Sequence, residues 1–231
     1  NSLRQIDQYF DDYISAQKIA GCSLLLWQSE AERYTMFKGV QDLESGTPVS
    51  RDTIFRIYSM TKPVASVALM MLWDRGYFDL NDPIARFLPK FNEMTLYRPD
   101  GDHVSAAGQI KMQHVLNHTA GFILPAFSEH PLREFYVSDG VNGSRSEGTL
   151  TDVIDRLANK PLLFEPGTRW EYSMATDVVG HLIEVIDGRP FDTFLQEEIF
   201  APLGLVDTGF HLSSNKISRF AGNYTRDGSE P

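Results

Sequence analysis

The spacing of apolar residues changes character once along this chain, at Ser59, and that change limits the folds open to it. Before it the pattern is extended. Residues 22–27 (Cys-Ser-Leu-Leu-Leu-Trp) read as a buried strand, residues 34–40 as its partner across a polar turn, and residues 54–58 as a short extended run that leads into Ser59. After it the pattern is helical. Residues 63–73 are apolar almost all round, which predicts a buried helix stopped by Gly76. Further helices are expected at 110–116, 151–158, 175–186 and 191–200, and residues 125–148 read as a long irregular loop. Ahead of the strands, Leu3, Ile6, Phe10, Tyr13 and Ile14 recur at helical spacing. The order is therefore helix, hairpin, short strand, then helices, an α+β chain. Residues 1–58 form the N-terminal part of an α/β domain, and residues 59–231 hold a mainly helical region. A hairpin and one short strand make a poor sheet, so further strands are expected from outside this stretch.

Charge and composition remove several functions. The net charge of -10 over 231 residues would repel a phosphate backbone, which argues against a nucleic-acid partner. No apolar run is long enough to predict a membrane-spanning helix. The opening Asn1-Ser2-Leu3-Arg4 does not read as a signal peptide, and the compartment stays open. The single cysteine, Cys22, reads as a small buried hydrophobe.

Three S-x-x-K tetrads occur: Ser15 to Lys18, Ser59 to Lys62 and Ser213 to Lys216. Only the second stands where an extended run meets an apolar helix. Backbone N–H groups at a helix start lack partners, and the helix dipole favours negative charge there, so a serine alkoxide and a developing oxyanion would both be stabilised. Lys62, one turn on, returns to the same face. Partly desolvated beside Val64 and Ala65, it could take the serine proton as a free amine. On the tetrad alone, an N-cap is the commoner role for Ser59, and a solvated charge that for Lys62.

Read with its neighbours, the tetrad carries more. Ser59-Met60-Thr61-Lys62-Pro63-Val64-Ala65-Ser66 resembles the serine β-lactamase and penicillin-binding-protein family, most closely the class C and family VIII carboxylesterase branch. Leu80-Asn81-Asp82-Pro83-Ile84, Val115-Leu116-Asn117-His118-Thr119-Ala120-Gly121-Phe122, Phe164-Glu165-Pro166-Gly167-Thr168-Arg169-Trp170-Glu171-Tyr172-Ser173 and Pro202-Leu203-Gly204-Leu205 resemble later segments of that branch, in its order. The resemblance implies a β-lactamase/transpeptidase-like fold, with an antiparallel sheet flanked by helices, a mainly helical region and an active site in the groove between them. It implies Ser59 as nucleophile, Lys62 as its partner and Tyr172 as the group that protonates the leaving alcohol. It implies no metal or organic cofactor. His114 and His118, four apart, lack a third ligand at suitable spacing and read as structural. Phe122, Phe127, Phe135 and Tyr136 could line an acyl pocket.

Two departures refine this expectation. Where lactamases carry Y-x-N, this chain has Tyr172-Ser173-Met174. Met174 cannot hydrogen-bond a β-lactam amide, which favours a carboxylic ester with a short to medium acyl chain, cleaved through an acyl-enzyme on Ser59. The alternatives are a β-lactamase or D-Ala-D-Ala carboxypeptidase, acyl transfer to an acceptor other than water, and a non-catalytic ligand-binding module on the same fold. The second departure is that no K/H-S/T-G or H-x-G follows Tyr172. That motif would supply a second oxyanion donor, so the sequence predicts a C-terminal fragment of the same protein as partner, either separate after cleavage near Pro231 or beyond a loop.

Overall fold

The computed structural model describes residues 2–225; the cleavage expected near Pro231 falls outside them. The chain divides into two compact units, residues 1–58 together with 210–231, and residues 59–209.

The first unit begins with helix α1 (Ser2–Ser15), followed by strands β1 (Gly21–Gln28) and β2 (Ala31–Gly39). The strands form an antiparallel hairpin in register from Gly21 opposite Gly39 to Gln28 opposite Ala31, with a bulge at Leu26 and Trp27. Polar contacts tie α1 to β2: Lys38 lies 2.6 Å from Asp11, and the Tyr34 hydroxyl donates to Asp7 at 2.6 Å. Residues from the far end of the chain complete the unit. Ile54 bridges Phe220, Gln41 Nε2 donates to the Ser218 carbonyl, and Arg56 donates to the Ala221 carbonyl while its guanidinium stacks on Phe220. A cavity of about 630 Å³ lies here, lined by Ile14, Lys18, Val40, Leu43, Phe55 and Tyr224 among others. The expectation that β1 is buried is corrected. Leu25 and Trp27 are 53% and 64% exposed, because the two-stranded hairpin has no second layer over that face among the described residues. Cys22 is only partly buried.

The second unit holds most of the buried core. Helix α2 (Thr61–Asp74) buries Ala65, Ala68, Leu69 and Leu72, a spacing that places all four on one face. Its all-round apolar character predicts full burial, and the structure differs here too. Val67 and Trp73 stay exposed, and Val67, Met70 and Met71 line a shallow groove of about 470 Å³. A small hairpin, β3 (Thr95–Leu96) with β4 (Val104–Ser105), and helix α3 (Met112–Leu116) follow. The segment read as a long loop instead contains helix α4 (Leu132–Val137), pinned because Leu132 and Tyr136, four apart, are both wholly buried. Helix α5 (Leu150–Leu157) begins at a capping box in which Thr149 and Asp152 satisfy each other's backbone N–H groups. Helix α6 (Ala175–Asp187) packs along α2, and α7 (Phe191–Leu195) runs into a π-helical turn at Gln196–Phe200. Arg189 braces that turn through Asp187, Glu197 and Glu198. No described helix is long and apolar enough to cross a membrane.

Candidate active site

The chain enters α2 through a 3-10 turn, Tyr58–Met60, with Tyr58 in the left-handed region at φ 40°. Ser59 sits in that turn rather than in the helix, exposed, and after Met60 the residues Thr61 and Lys62 begin α2. Pro63 costs the helix nothing at its third position, where an N–H would have no intrahelical partner. Lys62 thus projects from the first turn, partly buried.

Tyr172 reaches the same place from a different part of the sequence. Residues 118–123 and 163–174 lie side by side, joined by backbone hydrogen bonds. Leu163 N–H donates to Gly121 O at 2.8 Å, Gly167 N–H to Thr119 O at 2.8 Å, Glu171 N–H to His118 O at 3.0 Å and Met174 N–H to Ile123 O at 3.2 Å. Glycine is required at two points of this ladder. Gly121 has φ 93°, and a Cβ there would stand 2.6 Å from the Phe164 carbonyl oxygen. Gly167 has φ 84°, and a Cβ there would meet the His114 ring at 2.9 Å. His114 Nδ1 accepts the Lys111 N–H at 3.1 Å and so caps α3.

The ladder delivers Tyr172 so that its hydroxyl lies 2.8 Å from Ser59 Oγ, and the Lys62 ammonium lies 5.0 Å from the centre of its ring. Burial would raise the Tyr172 phenol. Hydrogen bonding with Ser59 and Lys62, together with the Lys62 charge, outweighs it and holds the phenol below its ordinary range. Asp177, in the first turn of α6, experiences the reverse: burial pushes its carboxyl up and the Lys62 charge only partly offsets that. The other two S-x-x-K serines have no such company. Ser15 closes α1, and Ser213 donates to Asn215 at 2.6 Å.

His118 lies against Tyr172. Its ring is 5.1 Å from that of Tyr172 and 6.2 Å from that of Trp170. Its Nδ1 lies 3.3 Å from Ser173 N and 3.2 Å from Ser173 Oγ. Burial, then the Lys62 charge, holds the imidazole below its ordinary range, so near pH 7 the ring is neutral.

Of the residues expected to contact substrate, three are corrected. Phe122, Tyr136 and Met174 are wholly buried and have no surface to offer an acyl chain. Phe122 stacks edge-on with Phe91, and Met174 lies beneath the start of α6. Phe135, 41% exposed, joins Tyr97 and His103 in a separate ring cluster. Phe127 does stand beside the site, 78% exposed with its ring 6.3 Å from that of Tyr172. Trp170, 63% exposed, was not anticipated from sequence, although its place two residues before Tyr172 in an extended stretch puts both side chains on one side.

Comparison with known proteins gives a consistent picture. The sequence signature of the β-lactamase family matches residues 6–231. Esterase EstB of Burkholderia gladioli is 31% identical over 229 residues, which are 98% of this chain and 56% of that protein. Monacolin J acid methylbutanoyltransferase of Aspergillus terreus is 32% identical over 170 residues, 71% of this chain and 40% of that protein. Among solved structures, EstCE1, a hydrolase with promiscuous acyltransferase activity, superposes with a TM-score of 0.80 at 30% identity, covering 95% of this chain and 55% of its own. The chain thus spans between 40% and 56% of the length of these relatives.

Proposed function

This chain belongs to the β-lactamase family, and from that premise we propose that it provides the nucleophile and proton carriers of a serine esterase. The observation that carries the reading is the 2.8 Å contact between Ser59 Oγ and the Tyr172 hydroxyl beside Lys62. Tyr172, as a phenolate stabilised by Lys62, takes the Ser59 proton as Oγ attacks the ester carbonyl. The tetrahedral intermediate collapses, Tyr172 returns the proton to the departing alkoxide, and water then hydrolyses the acyl-Ser59 ester. Exposed Phe127 and Trp170 beside the site suit an apolar acyl or alcohol group of short to medium length. The Y-x-N asparagine that would bind a β-lactam amide is replaced by a buried methionine.

A fluorophosphonate, whose fluoride is displaced by the attacking Oγ, tests the nucleophile by intact and peptide mass. The adduct is expected on Ser59, lost in Ser59→Ala and retained in Ser15→Ala and Ser213→Ala. Acetyl to hexanoyl esters are expected to give a higher kcat/KM than a chromogenic cephalosporin. An adduct on Ser213 would overturn the assignment, and a preferred cephalosporin would overturn the ester reading.

The similarity to a methylbutanoyltransferase supports one further reading of the same site, in which an alcohol rather than water takes the acyl group from Ser59. Added alcohol should then divert product from free acid to new ester. The exposed apolar faces of β1 and α2, with the greater length of the relatives, support a fold completed by further polypeptide of the same protein.

A further inference from the structure

His118 occupies a backbone position that favours glycine. It follows the end of α3, where Thr119 N–H closes the last turn on the His114 carbonyl at 2.9 Å, and it adopts φ 59°. A left-handed residue just past a helix end is commonly glycine, because a Cβ there is sterically strained. A histidine held in that conformation needs a compensating role for its side chain.

The contacts show what the ring holds. The His118 carbonyl accepts the N–H of Glu171, the residue before Tyr172. Nδ1 accepts the N–H of Ser173, the residue after it, at 3.3 Å. The ring itself lies against the Tyr172 ring. Ser173 Oγ, which accepts the Ala175 N–H at 3.4 Å, is free to donate its own proton to Nδ1 at 3.2 Å. A backbone N–H aimed at Nδ1 requires that nitrogen to be unprotonated, so the proton of the neutral ring is on Nε2. The chain is therefore gripped on both sides of Tyr172 and along its ring by one residue that touches neither Ser59 nor a reacting atom.

We infer that His118 is a positioning residue for Tyr172, fixing its hydroxyl at hydrogen-bonding distance from Ser59. The inference rests on the esterase reading above. Loss of the grip lets the phenol drift, and a displacement near 1 Å can lower a rate by about 100-fold.

His118→Gly makes the test clean, because it removes the ring while relieving the backbone. His118→Asn tolerates the same left-handed backbone and restores an acceptor for the Ser173 N–H. In the intact protein, His118→Gly is expected to keep its circular dichroism spectrum and melting temperature, to lower kcat for an ester about 100-fold with KM little changed, and to slow fluorophosphonate labelling of Ser59 in parallel. His118→Asn is expected to recover a substantial part of both rates. A folded His118→Gly protein that labels and turns over at the wild-type rate overturns the inference and leaves the esterase reading standing. If His118→Gly fails to fold, a folded His118→Asn protein no faster than Tyr172→Phe also overturns it. A wild-type protein that takes no adduct at Ser59 overturns the esterase reading and this inference with it.

Discussion

A phenol held below its usual range by hydrogen bonding with Ser59 and Lys62 and by the Lys62 charge is a base whose pH dependence has a fixed sign. Under the proposed mechanism the active form carries Tyr172 as phenolate, which grows as pH rises through the lowered pKa. The value of kcat/KM should therefore climb with pH, with the midpoint of the rise below the ordinary phenol value of 10, and a pH–rate profile with a stable acetyl ester checks this. Tyr172→Phe should lose about 10²–10⁴-fold and with it the rising limb. If the variant kept the same limb at a lower rate, the titrating group would be elsewhere.

Tyr172 is held by the pairing of residues 118–123 with 163–174, and that pairing depends on glycine where the two segments approach most closely. Gly121→Ala would combine positive φ with a Cβ 2.6 Å from a backbone oxygen that has little room to move. The expected result is a loss of about 2–4 kcal/mol of stability, within the range of backbone and core disruptions, read as a lower urea midpoint. Ester turnover should fall further than stability alone accounts for. Both paired segments were visible in the sequence as segments, and so were Ser59, Lys62 and Tyr172, since each stands in a distinctive run of neighbours. Their pairing was not visible, because it is made by backbone N–H and C=O groups that every residue carries. The acyl-pocket candidates divided into buried and exposed rings for a related reason. Phe122 and Phe127 are five residues apart and chemically identical, yet one is wholly buried and the other 78% exposed. Aromatic composition cannot distinguish a ring in the core from one at its edge. Likewise α4 was hidden because only two of its residues, Leu132 and Tyr136, are buried, too few to set a period in a short stretch between Pro131 and Gly140.

At the scale of the molecule, the apolar faces of β1 and α2 are the surfaces least explained by the residues around them. Leu25 and Trp27 on β1, and Val67 on α2, are all more than half exposed, and exposed apolar surface, where it forms a patch, marks an interaction site. The proposed completion by further polypeptide would cover such surface and supply a second oxyanion donor, a group worth about 10²–10³ in rate. A protein of only these 231 residues should hydrolyse esters more slowly than a longer form by that factor, with side-by-side kinetics as the check. Equal rates would remove the need for a completing segment.

The first unit is assembled from two stretches far apart in sequence, residues 1–58 and 210–231, and the second is one uninterrupted run between them. Gln41 must wait for Ser218, 177 residues later, and Ile54 for Phe220, before either contact can form. During synthesis, all of residues 59–209 leave the ribosome before the β1–β2 hairpin meets its later partners. The run carrying Ser59, Lys62 and Tyr172 can gather its core through contacts within itself, whereas the hairpin, with Leu25 and Trp27 bare, has to persist unfinished through that interval. The stage of the protein's life most open to misassociation is therefore its synthesis, and the vulnerable part is the hairpin made ahead of residues 59–209.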